Sequence, residues 1–162
     1  MTDALVIIPT YNEIENIDKI IDAVLNLGPD FSVLIIDDNS PDGTAGVVKT
    51  KMAEQWPDRL FLEERAGKLG LGTAYIHGFK WALDRGYKYI MEMDADFSHN
   101  PKDVPRLLKA CREDGADVAV GSRYIGGVNV VNWPMGRVLM SFYASAYVRI
   151  VTGMKLRDTT AG

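Results

Sequence analysis

Cysteine is nearly missing from this chain. Cys111 stands alone, which leaves no internal disulfide and no cysteine-based metal cluster. It sits near Leu107, Leu108 and Ala110 and reads as a small core residue rather than a nucleophile. Long apolar runs are missing too. The longest mostly apolar stretch near the end, Val138 to Val148, has 11 residues between Arg137 and Arg149, whereas a spanning helix needs about 20. No basic stretch followed by an apolar run and a cleavage site opens the chain, so no secretory signal is expected. The expectation is an intracellular chain, soluble or bound at a membrane surface. Basic charge is not in excess: 18 Lys and Arg face 22 Asp and Glu, a net charge of −4. A general nucleic-acid binder needs a basic surface that releases counterions from phosphates, so that class is set aside. Internal repeats and linker-like stretches are also absent.

What is present is a globular composition, 47% hydrophobic and 25% charged over 162 residues, the size of one domain or part of one. The charge is uneven. Residues 122–162 carry Arg123, Arg137, Arg149, Lys155 and Arg157 against Asp158 alone, 5 − 1 = +4, and residues 1–121 hold 13 − 21 = −8. A cation site in the acidic part and an anionic partner at the basic part would use this asymmetry; chance surface composition gives the same counts.

Ala4 to Ile8 and Phe31 to Ile36 are continuous apolar runs suited to strands buried on both faces. Leu60–Leu62, Tyr89–Met93 and Asp117–Val120 are read as three further strands. From Ile14, the residues Ile17, Ile20, Ile21, Val24 and Leu25 recur at helical spacing, and Gly28-Pro29 ends that helix. Further helices are expected over Thr44–Gln55, Thr73–Leu83, from between Pro101 and Pro105 to Glu113, and over Pro134–Thr152. Alternating strands and helices imply a mostly parallel α/β sheet with helices on both faces. Its ligand edge lies at the strands' C-terminal ends. Four polar segments should converge there: Pro9 to Glu13, Asp37-Asp38, Asp94-Ala95-Asp96 and Ser122-Arg123. The chain stops at Asp158-Thr159-Thr160-Ala161-Gly162 with no closing element and reads as cut inside a domain.

Asp94 and Asp96 point the same way from a strand end and repel each other unless a cation lies between them. Mg²⁺ or Mn²⁺ takes such oxygens and commonly binds substrate phosphates as well. A solvated turn or a helix-capping acid would use the same residues. One of Asp37 and Asp38 could accept hydrogen bonds from a ribose or a base, or both could form an Asx turn with Asn39; Asp42-Gly43 reads as turn chemistry. The loop Gly70-Leu71-Gly72-Thr73-Ala74-Tyr75 fails the dinucleotide fingerprint, because Tyr75 holds its last position and the loop follows the third strand. It also fails the P-loop pattern, because no Lys-Ser or Lys-Thr follows the glycines. A metal and arginines are then left to neutralise a diphosphate. Arg123 and Arg137 suit two-pronged phosphate contacts or salt bridges. His77 reads as structural, and His99 as a turn residue within reach of a metal.

With these residues, the chain resembles the family-two glycosyltransferases of GT-A-type fold. The segments that carry the resemblance are Ile8-Pro9-Thr10-Tyr11-Asn12-Glu13, Ile36 to Thr44, Leu69 to Tyr75, Met93 to His99 and Gly121-Ser122-Arg123-Tyr124. The glycine segment, running on into Ile76-His77-Gly78-Phe79, is similar to the branch that loads mannose onto dolichyl or polyprenyl phosphate. The resemblance implies an inverting, metal-dependent hexosyltransferase that moves mannose from GDP-mannose to a polyprenyl phosphate at the cytosolic face of a membrane. It implies that residues 1–162 are one catalytic domain lacking its C-terminal part, with further basic donor-binding residues beyond Gly162. It also implies that Pro9, Tyr11, Glu13, Ile36 and Asp38 hold the guanosine, and that Asp94, Ala95 and Asp96 meet the diphosphate. Asp94 and Asp96 would bind Mg²⁺ or Mn²⁺, Arg123 would contact phosphate, Arg137 would face the lipid phosphate, and Asp96, Arg123 and Arg137 would be catalytic. The alternatives are a relative using another donor such as UDP-glucose, an Asp-x-Asp phosphatase, and a nucleotide-binding fragment without catalysis. Phe142, Tyr143, Tyr147 and Val148, flanked by arginines, could rest on a membrane or pack on the sheet.

Overall fold

The computed structural model describes residues 2–125, 134–159 and 161. The chain divides into two compact units, residues 1–108 and 109–162.

The first unit is a four-stranded parallel sheet of β1 (Ala4–Thr10), β2 (Phe31–Asp37), β3 (Leu60–Glu64) and β4 (Tyr89–Glu92) in the order β3-β2-β1-β4. Three helices, α1 (Ile17–Leu25), α2 (Thr44–Glu54) and α3 (Leu71–Asp84), form the crossovers. A 3₁₀ turn, Pro101–Asp103, leads into α4 (Val104–Arg112). The two central strands are apolar throughout because each buries both faces. Ala4, Val6 and Ile8 join Val33 and Ile35 under Ile17, Ile20, Ile21 and Val24 of α1 and Val48 of α2. The alternate residues Leu5, Ile7, Leu34 and Ile36 face Ala74, Trp81 and Ala82 of α3. Period-two alternation thus splits one continuous apolar run between two cores.

α3 lies close to β1 because Gly78 has no side chain. A Cβ there would stand 2.8 Å from Ile7 Cγ2 and 2.9 Å from Ile7 Cδ1. Ile7 is fully buried and has little room to move. Overpacking of this kind costs about 1–3 kcal/mol, and the helix propensity gained by alanine over glycine, about 1 kcal/mol, offsets part of it. Gly78→Ala should therefore lower stability by about 1–2 kcal/mol; a urea midpoint at or above wild type would contradict this packing.

Two polar anchors close the unit away from the ligand edge. The Lys51 ammonium is almost buried between α1 and α2, 2.6 Å from Asp22 and 2.9 Å from Asp18. Burial alone would lower its pKa, but hydrogen bonds to the two carboxylates raise it above the ordinary value. Arg59 donates to the carbonyls of Leu25, Gly28 and Phe31, fastening the end of α1 to the start of β2.

In the second unit, α5 (Met135–Thr152) runs from Pro134 to Gly153, whose φ of +70° suits the left-handed helix stop. Its one fully buried residue among those described is Ser145. Leu139, Met140, Tyr143, Tyr147, Ile150 and Val151 recur at helical spacing and are exposed. No helix among the described residues is long and apolar enough to cross a membrane.

The fifth strand expected over Asp117–Val120 does not form. These residues adopt no strand structure, and Val118 is 70% exposed. Four residues pair as a strand only where a neighbouring edge accepts them, and propensity alone does not supply that edge. The first helix also starts later than expected, at Ile17, because Ile14 belongs to the loop that precedes it and is exposed.

Candidate active site

The C-terminal ends of β1, β2 and β4 lie side by side on one edge of the sheet, which brings three of the four expected polar segments together. The same edge holds all three non-glycine residues with positive φ among those described: Asn12 (61°), Asn39 (58°) and Phe97 (60°). Asparagine tolerates this region; for phenylalanine it is an outlier of the kind that clusters at functional sites.

The loops after β1 and β2 are stitched together. The main-chain N–H of Asn12 donates to Ser40 Oγ (3.0 Å), that of Glu13 to Thr44 Oγ1 (3.1 Å) and that of Ile14 to Asp42 Oδ2 (3.0 Å). Asp42 also accepts from Thr44 N (3.0 Å) and Thr44 Oγ1 (2.7 Å), and Gly43 takes the φ of +95° that the turn requires. Burial raises the Asp42 carboxyl pKa, and hydrogen bonds from Thr44 and Ile14 outweigh it and bring it below the ordinary value. The turn expected at Asp42-Gly43 is therefore present. It supports the first helix of one crossover from the start of the next.

The adjacent acids Asp37 and Asp38 have separate partners. Asp37 is fully buried and accepts from Thr10 Oγ1 (2.8 Å), Ser40 Oγ (2.6 Å) and Ser40 N (2.8 Å), the Asx-turn reading of the pair. Asp38 is gripped by Arg65, whose Nε meets Oδ1 and whose Nη2 meets Oδ2 at 2.8 Å, and Leu69 N donates to Oδ2 at 3.2 Å. Arg65 also donates to Thr73 Oγ1 (2.7 Å) and the Gly70 carbonyl (3.3 Å), tying the glycine loop to the same carboxylate. Sequence reasoning missed Arg65. Its signal is the parallel register: Asp37 pairs with Glu64 at the ends of β2 and β3, so Asp38 and Arg65 are the residues that follow side by side.

Of the other expected site residues in this unit, Tyr11 is exposed with the Lys68 ammonium 4.4 Å from its ring centroid. Pro9 is half-buried in β1. Glu13 is half-buried, and its carboxylate accepts from Asn16 Nδ2 at 3.2 Å. Ile36 turns its side chain into the core beneath α3.

After β4 the chain carries Asp94, half-buried, Ala95, buried, and Asp96, exposed. Asp94 Oδ1 accepts from the Tyr75 hydroxyl at 3.3 Å, and the Asp94 main-chain N–H donates to His99 Nδ1 at 3.3 Å. His99 thus has a turn role. Asp96 Oδ1 accepts from Ser98 N at 2.9 Å. Burial raises the Asp96 carboxyl pKa, but the hydrogen bonds of Ser98 and the nearby His99 outweigh it and bring it below the ordinary value. Glu92 is pushed up by burial and by the Asp94 charge. Among the described residues no group of three or more His, Cys, Asp or Glu gathers as a metal cage. The pair offers carboxylate oxygens, which suit a hard divalent ion whose other ligands are water and substrate phosphate.

The remaining histidine is structural: His77 Nε2 lies 3.1 Å from Glu63 Oε2, and Trp81 Nε1 donates to Glu63 Oε1 at 3.0 Å. Cys111 is half-buried.

In the second unit Arg123 is held by Asp158. Its Nε and Nη2 donate to the two carboxylate oxygens at 2.8 Å each, and its main-chain N–H adds a third bond at 3.0 Å. Asp158 is buried and is also approached by Ser145 Oγ at 3.5 Å. Hydrogen bonding to Asp158 outweighs burial and raises the Arg123 pKa. The salt-bridge alternative for Arg123 is thus realised with the single acid of that segment. Arg137 lies in the first turn of α5 and is exposed.

The family model for glycosyl transferase family 2 matches residues 5–159. The chain belongs to this family. It is 48% identical over 158 residues to the polyprenol monophosphomannose synthase of Mycolicibacterium smegmatis, covering 98% of this chain and 59% of that protein. It is 47% identical over 158 residues to the undecaprenyl-phosphate mannosyltransferase of Micrococcus luteus, covering 98% and 63%. The chain therefore spans about three-fifths of the length of these relatives. Among solved structures, glucosyl-3-phosphoglycerate synthase from Mycobacterium tuberculosis in complex with phosphoglyceric acid superposes with a TM-score of 0.60 at 18% identity, covering 94% of this chain and 51% of that one. That likeness supports the GT-A-like α/β fold of this family member.

Proposed function

We propose that this family 2 chain takes part in moving mannose from GDP-mannose to dolichyl or polyprenyl phosphate, with inversion at the sugar. The observation that carries the reading is Asp94 and Asp96 in the turn after β4, on the edge shared by the β1 and β2 loops. The names of the two relatives support mannose as the sugar and a polyprenyl phosphate as the acceptor.

Tyr11, Glu13 and Asp38, with Pro9 and Ile36 at the strand ends behind them, hold the guanosine. Asp38 enters this role already fixed by Arg65 and Leu69, so little conformational freedom is lost when a nucleoside binds. Asp94 and Asp96, with Ala95 between them, would hold Mg²⁺ or Mn²⁺ near the diphosphate. When bound, the ion neutralises charge that develops on the departing diphosphate. In the same reading Arg123, paired with Asp158 in this structure, would exchange that carboxylate for the donor phosphate, and Arg137 would serve the lipid phosphate. A phosphate monoester has a second pKa of about 6, so the acceptor is already a nucleophilic anion near neutral pH and needs no strong base. Electrostatic stabilisation by groups fixed in advance is then the main source of rate.

The acceptor is a lipid, and α5 has the surface to meet it. Its exposed apolar stripe includes Tyr143 and Tyr147, with Arg137 and Arg149 towards its ends, the composition of a helix that lies in a membrane interface. Phe142 stacks edge-on against Tyr124 at 5.7 Å and is a poor choice for a surface test. Tyr147 and Ile150 are 67% and 83% exposed. Changing both to serine should weaken binding to anionic vesicles at least about tenfold, since each buried apolar side chain contributes roughly 1.5–3 kcal/mol. Stability should change by no more than about 0.5 kcal/mol per site. Unaltered flotation with vesicles would remove the membrane role.

The function is tested by incubating the protein with GDP-mannose and a short polyprenyl phosphate, with and without Mn²⁺, and analysing the product. The expected product is polyprenyl phosphate mannose of inverted anomeric configuration, formed only with the metal. Transfer from UDP-glucose in preference would change the donor, and GDP binding without transfer from any donor, also in a chain extended to the length of its relatives, would leave a nucleotide-binding role alone.

A further inference from the structure

Asp94 and Asp96 are supported in different ways. Asp96 is braced from within its own loop by Ser98 N, two residues away. Asp94 receives a hydroxyl from a different element: Tyr75, in the second turn of α3, 19 residues earlier. The placement of that hydroxyl follows from the packing of α3. Gly78, three residues on from Tyr75, lets the helix approach Ile7 of β1, and the neighbouring Ala74 is buried against the sheet. The Tyr75 ring packs on the core formed by Leu5, Ile7, Leu34 and Ile36, and only its oxygen reaches the strand-end acids.

We infer that Tyr75 is a positioning residue for Asp94: its hydroxyl occupies Oδ1 and holds the carboxylate in one orientation towards a divalent cation. This rests on the proposed metal role of Asp94. A phenol suits the task because it donates one hydrogen bond without adding a positive charge that would compete with the cation. An ordinary phenol titrates at about 10, so the hydroxyl is a donor near neutral pH. Groups that orient a metal ligand from behind typically change metal affinity by about 10–100-fold when removed.

The experiment is Mn²⁺ titration followed by the electron paramagnetic resonance of the free ion, with GDP-mannose present, on wild type, Tyr75→Phe, Asp94→Asn and Asp96→Asn. Phenylalanine keeps the ring and removes only the donor. Each variant is also titrated with GDP in the absence of metal. The expected result is a loss of Mn²⁺ affinity of about 10–100-fold in Tyr75→Phe, larger losses in both aspartate variants, and metal-free GDP binding equal to wild type in Tyr75→Phe. Tyr75→Phe that holds Mn²⁺ as wild type does, while Asp94→Asn loses it, overturns the role of Tyr75 and leaves the metal site standing. Equal weakening of Mn²⁺ and metal-free GDP in Tyr75→Phe also overturns it, because that is the result of a packing role. If Asp94→Asn and Asp96→Asn both bind Mn²⁺ normally, the metal site itself is wrong, and the inference falls with it.

Discussion

Asp94→Ala is expected to lower metal-dependent mannosyl transfer by at least about 10²–10³-fold, the usual effect of removing one preorganised group that stabilises developing charge. The expectation rests on where charge appears in the proposed reaction. The acceptor phosphate arrives as an anion, so the costly event is departure of the diphosphate, and the stabilising groups must already be in place. Asp94 would contribute by holding the cation that does this, since a carboxylate by itself repels the diphosphate. Its main-chain N–H is bonded to His99, and its side chain is held from α3 by Tyr75. The fold should tolerate the change, because the packing residues of this turn are its neighbours Met93 and Ala95, both buried in the α1-side core. Asp94→Asn separates charge from shape: a comparable loss assigns the effect to the carboxylate. Steady-state transfer at saturating GDP-mannose and Mn²⁺ reads the result, and full activity in either variant would reject the metal role of this residue.

Arg65→Met should destabilise the protein by about 3–5 kcal/mol, the cost of stranding one partner of a buried ion pair. Only 7% of the Arg65 side chain and 9% of the Asp38 side chain are exposed, so water replaces the lost partner only in part. The loss is large against a typical stability of about 5–15 kcal/mol. Removing both charges, Arg65→Met with Asp38→Leu, should recover a substantial part of it, because no unpaired charge is then left in the interior. Urea unfolding of the two single variants and the double variant measures the coupling. Additive losses would show that the pair does not act as a unit. Arg65→Met should also loosen the glycine loop, whose Gly70 carbonyl and Thr73 hydroxyl depend on the same guanidinium.

The sheet was legible because its strands are of an unmistakable kind. Ala4 to Ile8 and Phe31 to Ile36 are apolar at every position or nearly so, which a strand requires only when both faces are covered. Asp117–Val120 shows the limit of the same reasoning. Its composition fits a strand, but pairing depends on an edge contributed by other parts of the chain. The acids at the strand ends could be found by position, since each follows a largely apolar run. Their partners could not. Arg65 meets Asp38 across 27 residues, Tyr75 meets Asp94 across 19, and Asp158 meets Arg123 across 35. Each pairing follows from strand register, from the depth at which a helix packs, or from the return of the chain, and none of these is a local property. The sequence also offered Asp37 and Asp38 as equivalent candidates. Hydrogen bonding separates them, giving Asp37 to a buried turn and Asp38 to the arginine that holds the glycine loop.

The central claim is that one divalent ion joins Asp94 and Asp96 to the diphosphate of the donor. Crystals grown with Mn²⁺ and GDP-mannose test it through the anomalous scattering of manganese. The account predicts a single strong peak within about 2–2.6 Å of a carboxylate oxygen from each aspartate, with donor phosphate oxygens completing its shell. Donor density on this edge of the sheet with the manganese peak elsewhere, or with neither aspartate touching it, would contradict the account.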